Sequence, residues 1–226
     1  MTKLRLKFNF NLKSAIGEII IVSIGILIAF ALNNWADARV EKRLEKQYLM
    51  NLASEMGQDI TSIKKNIEEL KQREKRIQIL LRHLRDKLPG RDTIPQFVFM
   101  LGEIQRFVPN EATYQSLKFS GDLKLISNFK LRNLIVETYN SYNFLFKEIE
   151  RQEHFNKTHL GDYFIHKIDF MKLREDKELK FLDDPLLRNI VGSSFGITRL
   201  SLKAYQETLS RCEKLETALK KELKFF

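Results

Sequence analysis

The stretch that decides the fold is Leu49–Leu88, LMNLASEMGQDITSIKKNIEELKQREKRIQILLRHLRDKL. Its apolar positions are Leu49, Leu52, Met56, Ile60, Ile63, Ile67, Leu70, Ile77, Leu81, Leu84 and Leu88. The steps between them alternate three and four residues, apart from one 4-4 step at Met56–Ile60 and one empty position at Glu74. That alternation keeps one narrow stripe of a helix facing a partner, the signature of a coiled-coil seam. No proline occurs between Trp35 and Pro89. One helix is therefore predicted from the preceding segment to about Lys87, roughly 80 Å long at 1.5 Å per residue. The flanks of the seam are charged, so this helix needs a partner, either a later helix of the same chain or another copy.

Upstream lies Ala15–Leu32, AIGEIIIVSIGILIAFAL, in which Glu18 is the one charged residue. A helix of that length rises roughly 27 Å, close to the ~30 Å hydrocarbon core of a bilayer. Lys3, Arg5, Lys7 and Lys13 precede it with no acidic residue among them. Basic residues on one flank hold that flank in the cytoplasm. The expected organisation is a cytoplasmic basic tail at 1–14, a transmembrane helix at 15–35 and a periplasmic α-helical domain at 36–226. Trp35, beside Asn33 and Asn34, is placed as an aromatic anchor at the interface. A cleaved signal peptide is the alternative, with small residues at Ala29-Phe30-Ala31 and Ala36-Asp37-Ala38. Against it, the apolar run exceeds a typical signal-peptide core and continues straight into a helix-favouring sequence.

An ionisable side chain in a span is costly, about 2.5–3.5 kcal/mol at the bilayer centre on the insertion scale. Glu18 stands about one turn from the cytoplasmic edge, where it can snorkel to water. Its helical phase offers a second reading. Glu18, Val22, Gly25 and Ala29 share one face, and Gly25-x-x-x-Ala29 is a small-x-x-x-small pair that lets helices approach closely. That face is the candidate for transmembrane association.

Beyond the first long helix, Pro89-Gly90-Arg91-Asp92 is a break. A short helix is expected from Pro95 to about Val108, apolar at Phe97, Leu101, Ile104 and Val108, and ended by Pro109-Asn110. Another is expected over Ala112–Phe119, followed by a turn at Ser120-Gly121-Asp122. Asn128 reads as the N-cap of a longer helix with Leu131, Ile135, Thr138, Tyr142, Leu145 and Ile149 on one face, reaching to Ile168 with an irregularity at Gly161. Lys172–Asp183 is charge-rich and reads as a loop. Asp184-Pro185 starts the last helix, with Leu209, Cys212, Leu219 and Leu223 on its apolar side. The fold class is all-α: an N-terminal transmembrane helix followed by an elongated helical bundle with a long coiled-coil-like first helix. Nine glycines and four prolines in 226 residues are too few for the turns of an all-β fold.

The net charge is +10. The tail supplies four of these positive charges and Glu18 removes one, which leaves +7 beyond the span. Nucleic acid is not expected as a partner outside the cytoplasm. Anionic lipid headgroups, lipopolysaccharide phosphates or peptidoglycan carboxylates fit that charge, and so does a plain solvated basic surface. Cys212 is the only cysteine, so the domain is stabilised by packing without an intrachain disulfide.

No motif rises to a catalytic, cofactor-binding or metal-binding assignment. Gly192-Ser193-Ser194-Phe195-Gly196 matches G-x-S-x-G, but that elbow needs a strand turning into a helix, and here a helix start precedes it. His159, Asp162 and His166 fall on one helical face, with Glu150 or His154 as a fourth ligand, yet surface histidines are the simpler reading. Phe144, Phe146, Phe155, Phe164 and Phe170 fit ordinary core packing better than an aromatic-lined ligand cavity.

Gly17-Glu18-Ile19, Gly25-Ile26-Leu27-Ile28-Ala29 and Asn33-Asn34-Trp35 together resemble the opening of a bacterial family known as domain of unknown function 6090. A second patch is similar more loosely: Tyr114, Leu117, Ser120-Gly121, Leu125-Ile126, Leu131-Arg132 and Tyr139. Ala36-Asp37 departs from the Asn-Glu expected after the tryptophan. The resemblance implies a single-pass protein of a Gram-negative bacterium with a periplasmic, mostly helical domain and no established activity. The expected role is a non-enzymatic membrane-anchored scaffold or interaction module. Its expected partners are the lipid bilayer, a second copy or another membrane protein, and an anionic envelope component. The alternative is a ligand-sensing helical bundle acting through a membrane partner.

Overall fold

The computed structural model describes residues 12–86, 88–173 and 179–226, and its described residues contain helices and no strand. The predicted basic tail up to residue 11 lies outside the described residues, as do 174–178 of the predicted loop. The chain divides into two units, Met1–Gln47 and Tyr48–Phe226. Helix α1 runs without interruption over Leu12–Asp86. In the first unit its apolar stretch is long and apolar enough to cross a membrane, and none of it is buried. Ile19, Ile21, Leu27 and Phe30 are each about two-thirds exposed or more. An apolar helix exposed on all sides belongs in an apolar solvent or against a partner.

The second unit packs α1 against helices that follow it in the same chain. These are α2 (Pro95–Phe99), α3 (Ala112–Ser120), α4 (Phe129–Phe155), α5 (Asp162–Lys167) and α6 (Pro185–Glu222). The partner the seam requires is therefore intramolecular. Leu49, Leu52, Met56, Ile60, Ile63, Ile67 and Leu70 are all buried, as the three-four spacing demands. Beyond Leu70 the seam departs from the predicted line. Leu80 is fully buried, Leu81 is half-buried and Leu88 is exposed. The position expected to be empty at Glu74 is filled one residue earlier by Arg73, which is 2% exposed. The run Leu70, Arg73, Ile77, Leu80, Leu84 restores the strict alternation, because the fold follows geometric period rather than apolarity.

The predicted helix boundaries at Asn128 and Asp184 hold for the physical reason given. Asn128 accepts hydrogen bonds from the backbone N–H groups of Lys130 and Leu131, and Asp184 from that of Leu186, with Pro185 at the first helical position. The irregularity expected at Gly161 is a π-helical turn, Asn156–Gly161, between α4 and α5. A Cβ on Gly161 would lie 3.3 Å from the Asn156 carbonyl oxygen. Gly121 ends α3 with φ of 76°, a left-handed conformation that favours glycine.

The core forms two apolar clusters. One contains Leu49 through Leu70, Tyr139, Tyr142 and Leu215; the other contains Ile77, Leu84, Val98, Tyr163 and Leu187. The apolar members Tyr114, Leu117, Ile126, Leu131 and Tyr139 of the second patch of family-like residues sit in the first cluster. Tyr114 stacks on Tyr139 with centroids 4.3 Å apart, and Leu117 and Ile126 are fully buried beside them. The predicted loop also contributes, since Leu182, in the 3-10 turn Lys180–Asp183, is buried in the second cluster.

One segment differs in kind from its expectation. The helix predicted to reach Val108 stops at Phe99, followed by a 3-10 turn, Met100–Gly102. Glu103 is extended (φ −64°, ψ 138°), and residues 103–111 have no regular secondary structure. Burial there alternates with period two: Gln105 and Phe107 are inside, Arg106 and Val108 outside, Val108 at 81% exposure. The apolar residues at helical spacing belong to two conformations, a short helix and an extended strap.

Candidate functional site

In the first unit the unbroken α-helix places Glu18, Val22, Gly25 and Ala29 on one face through steps of four, three and four residues. All four are exposed, and a Cβ on Gly25 would meet nothing within 4 Å. Trp35 is 59% exposed, with the Arg39 guanidinium over its ring at 4.6 Å.

In the second unit the notable arrangement is a column of buried polar side chains on α1. Asp59, Asn66 and Arg73 follow one another at heptad spacing and are 0%, 7% and 2% exposed. All three face the extended strap. Asp59 accepts from the Asn110 backbone N–H at 2.9 Å and from Asn110 Nδ2 at 2.8 Å. Asn66 donates to the Arg106 carbonyl at 2.9 Å. Arg73 donates to the carbonyls of Glu103 and, at 2.7 Å, Leu101, and through Nε to Thr198 Oγ1 at 3.0 Å. One heptad of helix rises about 10.5 Å and three extended residues span about 10 Å. That match lets a heptad-spaced column address an antiparallel extended chain. Four residues before Asp59, off the heptad spacing, Glu55 accepts from Thr113 N and from Thr113 Oγ1 at 2.7 Å.

The strap is also held from the other side. Gln152 of α4 donates to the Glu103 carbonyl at 3.0 Å, and Tyr205 of α6 to the Gln105 carbonyl at 2.8 Å. A buried strand without a sheet partner must satisfy its backbone in this way. Buried hydroxyls on α6 turn back on their own helix: Thr198 Oγ1 donates to the Ser194 carbonyl and Thr208 Oγ1 to that of Ala204.

Burial sets the charge states along the column. Arg73 meets no carboxylate within ion-pairing distance among the described residues, and burial pulls its guanidinium down to about 10, opposed by nearby Glu103. It stays protonated at neutral pH. Burial pushes the Asp59 carboxyl above its ordinary value despite the bonds from Asn110 and Tyr142. Tyr142 donates to Asp59 Oδ2 at 2.8 Å and touches Cys212 Sγ at 3.4 Å. Burial drives the Tyr142 hydroxyl far above its usual range and the Cys212 thiol up to about 11. All three side chains are fully buried. A neutral thiol and a neutral phenol without solvent access make a packing network, not a reactive one.

The raised Asp59 carboxyl has a measurable sign. The folded state keeps a proton that the unfolded chain releases above the ordinary carboxylate value of about 3.9. Stability from this group therefore falls as pH rises from that value through the higher folded-state one. Urea midpoints of the wild type should drop across that window relative to Asp59→Asn, which has no proton to lose. Parallel pH profiles for the two proteins would refute the assignment.

The other sequence candidates are placed as follows. Gly192–Gly196 lies inside α6, with Ser194 1% exposed and its Oγ unpartnered, so no strand-to-helix elbow exists there. His159 lies in the π turn against the Phe155 ring, and His166 Nε2 lies 3.5 Å from Asp162 Oδ1 on an exposed surface. Among the described residues no group of three or more potential ligands converges. Phe164 and Phe170 gather with Phe99, whereas Phe144 is 52% exposed. Sequence reading by apolar steps missed the polar column, although the seven-residue spacing of Asp59, Asn66 and Arg73 was its signal.

A model of a family of unknown function matches residues 18–163. The match takes in the apolar stretch, the polar column, the strap and α4. No curated protein and no solved structure matches the chain.

Proposed function

This chain belongs to that family, DUF6090, a family of unknown function, and from its own fold we propose that it is a membrane-anchored scaffold or interaction module without enzymatic activity. The observation that carries the reading is α1 itself: one helix that is apolar and exposed at its start and forms the core seam at its end. In this reading the N-terminus stays in the cytoplasm, the helix crosses the inner membrane once and the bundle folds in the periplasm. Self-association runs through Glu18, Val22, Gly25 and Ala29, and Trp35 marks the interface. A ligand-sensing bundle is the second reading. It is favoured by two buried side-chain atoms, Gln105 Oε1 and Ser194 Oγ, that have no hydrogen-bond partner among the described residues.

Labelling and association in cells test the first reading together. Lys224→Cys should react with an impermeant thiol reagent once the outer membrane is permeabilised, while Thr2→Cys should not. In the same cells a transmembrane association reporter should lose signal on Gly25→Leu, lose less on Glu18→Gln, whose amide still hydrogen-bonds, and keep it on Ile26→Leu. Reversed labelling overturns the orientation. Equal reporter signals for wild type, Gly25→Leu and Ile26→Leu reduce the span to an anchor.

A further inference from the structure

Two hydrogen bonds define one end of the Tyr48–Phe226 unit. Tyr48 donates to Asp122 Oδ2 at 2.9 Å, and Asn128 Nδ2 donates to Glu222 Oε2 at 2.7 Å. They bring together the turn after α3, the first turn of α4 and the last turn of α6, at the end where the chain enters the unit. Three phenylalanines of this end face solvent: Phe119 is 83% exposed, Phe129 61% and Phe225 70%. The core of the same unit buries Phe107 to 4%, whereas at this end the Arg132 guanidinium lies over the Phe129 ring at 5.3 Å and the rings stay open to solvent.

The same end carries an unbalanced charge. Lys118, Lys124, Lys130, Lys221 and Lys224 are exposed, and none has an ion-pair partner among the described residues. The acidic side chains nearby are already engaged. Asp122 holds the Tyr48 hydroxyl, Glu222 holds Asn128, and Glu216 pairs with Lys220 at 2.8 Å. Asp122 and Glu222 keep their charge, since their donors are neutral, and the five unpaired lysines outnumber these two carboxylates.

Exposed aromatic rings interleaved with unpaired lysines match the chemistry of a lipid interface. The rings enter the headgroup–acyl boundary and the ammonium groups meet phosphates. An acidic macromolecule would use the lysines and leave the phenyl rings without a role. We propose that this end of the unit is a docking face for an anionic phospholipid bilayer. The inference deepens the anchored-scaffold reading: the protein holds its membrane by a second contact besides the span.

Quenching by spin-labelled lipid tests it on the full chain. An environment-sensitive fluorophore is attached at Phe119→Cys, and at Phe144→Cys as the exposed control on α4; Cys212 is fully buried. Vesicles are phosphatidylcholine alone or a mixture rich in phosphatidylglycerol. The Phe119 label should be quenched several-fold more strongly in the anionic vesicles, and the Phe144 label equally in both. Changing Lys118, Lys124 and Lys130 to glutamine should weaken the contact by about fivefold each, the equivalent of ~1 kcal/mol per basic residue at an anionic surface. Equal quenching at the two sites, or indifference to phosphatidylglycerol, overturns the proposal. Flotation with phosphatidylcholine vesicles reads the anchor separately. A chain that floats without selective quenching overturns this inference alone. A chain that does not float with phosphatidylcholine, yet is quenched in anionic vesicles, upholds it and overturns the anchor.

Discussion

Arg73→Ala should destabilise the Tyr48–Phe226 unit by about 3–5 kcal/mol, through the loss of charge-assisted hydrogen bonds and the void left behind. The guanidinium bridges three acceptors, the Leu101 carbonyl of the 3-10 turn, the Glu103 carbonyl that opens the strap and Thr198 of α6. Without it the Leu101 carbonyl keeps only a 3.4 Å contact from Asn156, and the Glu103 carbonyl relies on Gln152. A buried cation lacking a carboxylate also carries a desolvation cost, and an apolar residue of similar volume can be neutral or better where that cost dominates. Arg73→Met therefore decides which effect wins. Filling the space without the donors should still cost about 1–3 kcal/mol, because the buried Leu101 carbonyl and the part-buried Glu103 carbonyl lose a charged donor. Urea unfolding of the full chain in detergent measures both. A methionine variant as stable as wild type would show that the guanidinium is tolerated rather than needed.

Ile67→Ala should cost about 2–5 kcal/mol, the usual range for truncating a buried aliphatic residue. Ile67 is 7% exposed and lies between Ile63 and Leu70, both fully buried in the same cluster. Its partners come from the same chain, so the loss should not depend on protein concentration. A cost below about 0.5 kcal/mol would mean that this part of the seam waits for another chain.

The sequence was most informative where one local rule acted alone. Asn128 and Asp184-Pro185 start helices through bonds that close within three residues, and Gly161 marked an irregularity because a Cβ there crowds the preceding turn. It misled where two rules competed. Phe97, Leu101, Ile104 and Val108 fit a helical period, but the chain turns extended at Glu103, because helices α1, α4 and α6 supply side chains for its backbone groups. That supply is visible only once the helices are assembled. Likewise Leu81 carried the apolar reading off the seam beyond Leu70, and a reading by apolar residues passed over Asp59, Asn66 and Arg73, which are buried beside it. The association face proposed at Glu18, Val22, Gly25 and Ala29 rests on helical phase alone; the unbroken helix places the four residues on one side and shows no partner for them among the described residues.

The strap divides the burden of sequence unevenly. Asn66 and Arg73 recognise its carbonyl oxygens, which every amino acid carries alike. Arg106 can therefore change identity without disturbing what α1 reads, provided the backbone stays extended, whereas the Glu103 carboxylate is itself held by Arg76 of α1 at 3.3 Å. Asn110 is less free, since its backbone N–H and its amide both serve Asp59 and a proline there would remove the first. The information that places this loop is written in the helix beside it, about forty residues earlier in the chain. Substitutions that misplace the loop would thus be found mainly outside it.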